Sequence, residues 1–277
     1  MVNVNGELIK EDTNYLNHEN RAYRFGDALV ETLRVVNGHI YFLEDHYLRL
    51  MASMRILRME IPMHLTMEFF AAEVLKTVVG KTALVDFYVY RNHGGTHLPK
   101  TMEISYTIVP KALEYPFFAH LTGTYVVELF KDFHKSNDLL STLNTTHRVL
   151  QVTGAIFAHE NGYEDCLVLN DSKSVLESLG SNLFLVSKNS VKTPPLSEGC
   201  TNGILRKKMI EVLKKLPDIT FSESPISPFE LQKADELFLT HIDYGIQSIS
   251  RYRKKEYNSQ FAKGLLGKLN AVARLTV

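Results

Sequence analysis

Several stretches carry side chains whose types and spacing suit chemistry. In GCTNGIL, Gly203 and Ile204 stand where a helix should begin. The first N–H groups of a helix lack internal acceptors, and with the helix dipole they favour a phosphate; an ordinary glycine-containing helix start fits the same residues. Arg49 lies between Leu48 and Leu50 in HYLRL. Its planar fork suits two phosphate oxygens if it points inward, and its stem suits surface packing if it does not. Glu177 closes the apolar run SVLE ahead of a glycine turn and NLFLV. A carboxylate among buried strands costs several kcal/mol unless paired, so it either meets a positive group or faces water at the strand end. In STLNTTHRVLQVTGA a polar run gives way to a helix-like pattern, and Asn144 stands at the join.

The eleven histidines invite a metal reading. The closest spacing, His93-x3-His97, spans two glycines in a loop with no acidic partner nearby, so no metal site is expected. A Gly-x-Ser-x-Gly elbow, a P-loop and a Rossmann glycine set are all missing.

Composition narrows the partners. The chain has 277 residues, 45% apolar, with 31 basic side chains against 31 acidic ones. A zero balance argues against nucleic acid or an acidic membrane surface, each of which calls for basic excess. It leaves room for a small anion. MVNVNGELIKED has no apolar signal-peptide core, and no run approaches the roughly 20 apolar residues of a membrane span. The two cysteines, Cys166 and Cys200, form neither a disulfide framework nor a zinc pattern. These features lead us to expect a soluble, reduced, cytoplasmic protein.

The elements that must hold these residues read as α+β or mixed α/β. Asn5-Gly6 and Asn37-Gly38 predict two hairpins, since both residue types tolerate positive φ. Tyr47, Leu50, Met51, Met54 and Leu57 recur at helical spacing, with Pro62 closing the run. A second helix fits residues 66–79, and strands fit 83–90 and 104–109. Pro116 interrupts a thin stretch, placing a domain break there: an N-terminal domain over 1–115, a linker over 116–123 and a C-terminal domain over 124–277. Beyond it we expect a strand over 124–130, a loop over 137–141 and a helix from about 145 to 159. CLVLN, SVLE and NLFLVS suggest a meander, followed by a helix in ILRKKMIEVLKKL. A short helix at Ser227-Pro228, strands in DELFLT and GIQSIS, and a helical end complete the chain.

Taken together, NRAYRFGDALVETLRVVNGHIYFLEDHYLRL, ESLGSNLFLV and KTPPLSEGCTNGILR resemble, in order and spacing, the class IV aminotransferases. These are the fold-type-IV pyridoxal phosphate enzymes, including branched-chain and D-amino acid aminotransferases and aminodeoxychorismate lyase. The resemblance implies a two-domain fold of that type, pyridoxal 5′-phosphate as cofactor, a small amino-acid-type substrate, transamination or lyase chemistry, and a homodimer. It implies that Arg49 grips the phosphate and that Gly203 and Ile204 hold it at a helix start. Leu205 stands where many relatives place Thr. Glu177 takes the place of the carboxylate facing the pyridine nitrogen, and Arg91 that of a group near the substrate carboxylate. One position departs sharply: about 33 residues before the ring carboxylate the family places its Schiff-base lysine, and counting back from Glu177 reaches Asn144. The nearest upstream lysine, Lys135, lies nine residues away across a loop, and shifting it into register would break the match elsewhere. The resemblance therefore implies impaired turnover, or a catalytically silent homodimer of the same fold.

Overall fold

The structure is a computed structural model, and it describes residues 1–80, 82–113 and 115–275. The chain divides into two compact units: one formed by Met1–Pro116 with Asn144–His147 and the last residues from Ala273, the other by Phe117–Leu143 and Arg148–Val272.

The first unit is built on a six-stranded antiparallel sheet. Its elements are β1 (Val2–Val4), β2 (Glu7–Ile9), α1 (Arg21–Phe25), β3 (Ala28–Val36), β4 (His39–Ile40), α2 (Leu43–Ile56), α3 (Met67–Lys76), β5 (Thr82–Arg91) and β6 (Ile104–Ala112), with strand order β2-β1-β6-β5-β3-β4. Both Asn-Gly pairs form their hairpins. Asn5 and Gly6 have φ of 50° and 94°, and Asn37 and Gly38 have 50° and 80°, the paired positive angles of a type I′ turn. On α2, His46, Leu50, Met51, Ser53 and Met54 share a buried face that packs on β3 and α3. The helix ends before Pro62 is reached, because Arg58 turns left-handed at φ 56°.

The second unit is a mixed sheet. In chain order it contains β7 (Ala119–Leu121), β8 (Val126–Lys135), α4 (Val149–Asn161), β9 (Asp165–Asn170), β10 (Val175–Ser178), β11 (Asn182–Ser187), β12 (Ser190–Thr193), α5 (Ile204–Leu213), β13 (Thr220–Glu223), α6 (Pro228–Lys233), β14 (Glu236–His241), β15 (Gly245–Ser248), β16 (Arg251–Tyr252), β17 (Lys255–Glu256) and, up to Val272, α7 (Gln260–Leu275). The expected meander is β9, β10 and β11, paired antiparallel. One core joins Val127 and Leu129 of β8, Leu167 and Leu169 of β9, Leu183 and Leu185 of β11, and Leu237 and Leu239 of β14. The alternation follows from the period of two along each strand, which sends every second side chain to one face.

The structure differs from the sequence reading in several places: the strand expected over 124–130 is β8 and runs to Lys135, and the short strands β12, β13, β16 and β17 were not expected. Residues 119–121, expected in the linker, form β7 by pairing parallel with β15, more than a hundred positions away. The helix expected from about residue 145 begins at Val149, because residues 144–146 are extended and pair with the start of β3 instead.

Candidate functional site

Glu177 sits in the middle of the second unit's sheet, between Val168 of β9 and Asn182 of β11, and is 4% exposed. The alternative left open by the sequence is resolved: the carboxylate is paired. Its Oε1 accepts from Lys135 Nζ at 2.5 Å and Thr201 Oγ1 at 2.9 Å. Its Oε2 accepts from the Thr201 backbone N–H at 2.7 Å and Asn182 Nδ2 at 3.3 Å. Lys135 Nζ also donates to Thr201 Oγ1 at 3.0 Å, closing a triangle of polar groups. Two carboxylate oxygens offer about four acceptor positions, and all four are used.

Local structure sets each partner. Regular pairing of β8 with β9 breaks after Phe130 and resumes at Lys135 opposite Asn170, and this irregularity aims the Lys135 side chain at β10. Thr201 belongs to a loop pinned from several sides. Asn170 Nδ2 donates to Glu198 Oε2 at 2.7 Å, the Asn202 N–H to Thr142 O at 2.9 Å, and Arg206 Nη2 to Pro194 O at 2.7 Å. Cys200 lies buried in that loop. Burial, and then the negative Glu177, push its thiol up to about 12, so it is not a nucleophile near neutrality.

The helix start expected to receive an anion is α5. Gly203 is its N-cap, no side chain caps it, and Ile204 and Leu205 are buried in its first turn. A Cβ on Gly203 would lie 2.1 Å from Asn182 Oδ1. Asn182 thus touches Glu177 on one side and the helix start on the other. The second unit brings Glu177, Gly203, Ile204 and Leu205 into one neighbourhood.

In the first unit, Arg49 closes its fork on Glu31, with Nε to Oε1 at 2.8 Å and Nη2 to Oε2 at 2.6 Å. His46 Nδ1 reaches the same Oε2 at 2.8 Å. Burial pushes the Glu31 carboxyl up, but Arg49's charge and the hydrogen bonds from His46 and Arg49 outweigh it and hold the group below its ordinary value. Burial likewise holds His46 below its usual range against the pull of Glu31. The neutral ring donates through Nδ1, and the buried Nε2 finds no partner among the described residues.

Arg91 is fully engaged. Nε and Nη2 grip Asp27 at 3.0 Å each, Nη2 also donates to Leu57 O, and Nη1 donates to Arg58 O and Met102 Sδ. Its five N–H groups all have protein acceptors; meeting a substrate carboxylate requires this clamp to open. Asn144 is also held by backbone: its Nδ2 donates to Val30 O at 2.7 Å and its own carbonyl accepts from the Val30 N–H at 2.9 Å. Among the described residues, no group of three or more His, Cys, Asp or Glu is arranged to hold a metal ion.

Sequence reasoning did not assign roles to Thr201 or Asn182, and it set Lys135 aside. The signal for Thr201 was faint, a hydroxyl two residues before a helix-starting glycine. For Lys135 there was none, since its approach to Glu177 depends on a strand irregularity.

Solved structures define the class of fold. The chain is similar to a branched-chain aminotransferase from Thermoproteus uzoniensis, with TM-score 0.84 at 22% identity over 99% of this chain and 93% of that one. It is also similar to an aminotransferase from Brucella abortus, solved bound to pyridoxal phosphate, with TM-score 0.84 at 19% identity over 97% and 96%. Both give the fold: the mixed α/β arrangement of fold-type-IV aminotransferases. By sequence, a D-alanine aminotransferase from Bacillus licheniformis is 25% identical over 249 residues, 85% of this chain and 82% of that protein. The pattern of the family described as amino-transferase class IV matches residues 28–252. The chain belongs to the class IV aminotransferase family.

Proposed function

We propose that this chain takes pyridoxal 5′-phosphate in its second unit and holds it without a covalent link, so that transamination or lyase turnover of a small amino acid is impaired. The residue types fit the group. Glu177 offers a carboxylate to the ring nitrogen, and the start of α5, uncapped by any side chain, offers the N–H groups of Ile204 and Leu205 to the phosphate, while the Gly203 N–H is taken by Thr201 O. The family resemblance assigns a phosphate-gripping role to Arg49 of the first unit, whose fork is closed on Glu31 and would have to open for it. When bound, this cofactor supplies an electron sink for cleavage of a bond at an amino acid's α-carbon.

The observation that carries the reading is Asn144. Counted from Glu177, the family's Schiff-base lysine falls at this position, and its side-chain nitrogen is an amide donating to a strand carbonyl. An amide nitrogen is neither nucleophilic nor basic near neutral pH, so it can neither condense with an aldehyde nor carry a proton. Loss of a general base alone costs about 10²–10⁴ in rate.

Borohydride reduction of the protein with pyridoxal phosphate, followed by peptide mass mapping, is the test. The expected result is no cofactor adduct on any lysine, with a free-aldehyde absorption spectrum. Asn144→Lys should restore an adduct at position 144 and the aldimine band. An adduct on Lys135 in the unaltered protein would overturn the reading.

The silent homodimer is the second reading, favoured by the closed Lys135–Glu177–Thr201 arrangement. Both readings share the dimer carried over from the resemblance.

A further inference from the structure

The carboxylate offered to the cofactor's ring already has a cation of its own. Among the described residues, Lys135 supplies the positive charge that touches Glu177, with Nζ 2.5 Å from Oε1 and the two side chains 13% and 6% exposed. Thr201 then closes the remaining gaps. Its hydroxyl donates to the oxygen that Lys135 holds, and its backbone N–H donates to the other, which Asn182 also serves. With about four acceptor positions on a carboxylate, none is left for a protonated ring nitrogen while Lys135 stays. The Asn182 and Thr201 contacts cannot easily give way. Asn182 is wedged against Gly203, where even a Cβ does not fit, and Thr201 is held at the entrance to α5 by its carbonyl, which accepts from Asn182 Nδ2 and the Gly203 N–H. Lys135 can give way: an ammonium on a four-carbon stem makes a point contact without fixed direction, and its residue ends a strand.

We propose that Lys135 stands in for the ring cation of pyridoxal phosphate: its ammonium completes the Glu177 site when the cofactor is absent, and the cofactor must displace it to reach that carboxylate. This rests on the reading that the second unit takes pyridoxal phosphate. The charge logic supports it. A buried carboxylate left without a partner is strongly destabilising, so in a protein that does not keep its cofactor covalently, some other cation has to meet Glu177. Lys135 does so from inside the chain. Cofactor binding then exchanges one cation for another, and affinity is lowered by the loss of the Lys135 contact.

Calorimetric titration of the full-length protein with pyridoxal 5′-phosphate tests this. Lys135→Met keeps the stem and removes the charge, and should bind at least about fivefold more tightly than the unaltered protein. Lys135→Arg keeps a cation and should gain less than that. A gain below about fivefold for Lys135→Met, or an equal gain for Lys135→Arg, overturns the proposal. Should Lys135→Met fail to fold, the unaltered protein is titrated with a phosphate analogue carrying C–H in place of the ring nitrogen. A preference for pyridoxal phosphate below about fivefold supports the displaced-cation account, and a larger one overturns it. If Asn144→Lys forms an aldimine while the Lys135 result is negative, only this inference fails; if no variant binds the cofactor at all, the functional reading fails with it.

Discussion

At the residue scale, the arrangement around Gly203 shows how little freedom the site has. Asn182 Nδ2 donates to Thr201 O at 2.8 Å and to Glu177, which fixes the side chain's orientation and leaves Oδ1 facing the Gly203 Cα. The backbone at Gly203, with φ −72° and ψ 138°, is one any residue can adopt; glycine is required there for space alone. Gly203→Ala must push Asn182 aside and loosen two hydrogen bonds at once. Thermal unfolding should show a loss of about 1–3 kcal/mol, with a lower melting temperature both with and without added pyridoxal phosphate. An unchanged melting temperature would mean that Asn182 is not held as described. The same pair explains why Glu177 could not be judged from sequence: whether a strand-end carboxylate meets water or a cation depends on β8 and on the loop before α5, both distant along the chain.

At the scale of elements, Asp27 is the tie in the first unit. It follows α1 and precedes β3, accepts from Arg21 Nε at 2.8 Å, and receives the Arg91 fork from the end of β5. Arg91 in turn holds the turn after α2 through Leu57 O and Arg58 O. One carboxylate thus gathers the ends of a helix, a strand and a turn. Burial pushes Asp27 up, but the hydrogen bonds and charges of Arg91 and Arg21 outweigh it and hold its carboxyl below the ordinary value of 3.8. A depressed folded-state pKa contributes stability that is present above the unfolded value and lost as pH falls through the folded one. Resistance to urea should therefore fall as pH drops below about 4. At pH 7, Asp27→Asn should lose about 3 kcal/mol by leaving two buried guanidinium groups uncompensated. The gap between variant and parent should narrow in acid, and a gap independent of pH would refute the assignment.

Much of this level was legible in the sequence and some was not, for one physical reason. The two Asn-Gly turns are local, and both φ angles follow from residue type. The Ser227-Pro228 helix start is local too: Ser227 and Glu230 form a reciprocal capping box. The late start of α4 and the strand β7 depend on partners far away, Asn144–Thr146 on β3 and Ala119–Leu121 on β15. Strand pairing over such separations leaves no mark in a short window. Arg49 and Arg91 stood out through the family resemblance, whereas their carboxylate partners emerge only from packing between distant segments: Glu31 of β3 against α2, and Asp27 against the end of β5.

At the scale of the molecule, the two compact units hold the candidate residues separately: Arg49, Arg91 and Asn144 in the first, Lys135, Glu177, Gly203, Ile204 and Leu205 in the second. The residue inventory of a cofactor enzyme is thus spread over chain segments that fold around different sheets. No helix among the described residues is long and apolar enough to cross a membrane. The proposed homodimer predicts a light-scattering mass twice the chain's 31.6 kDa; a monomer mass across the working concentration range would remove assembly from the functional reading.

The internal pairing of Glu177 has a consequence for supply. A protein whose buried acid relies on an exogenous organic cation is only as durable as the nutrient that provides it, and starvation leaves it open to proteolysis. Here the neutralising charge is encoded in the gene. The abundance of this chain should follow the vitamin B6 status of its cell less steeply than that of proteins whose buried acid is neutralised by the cofactor alone.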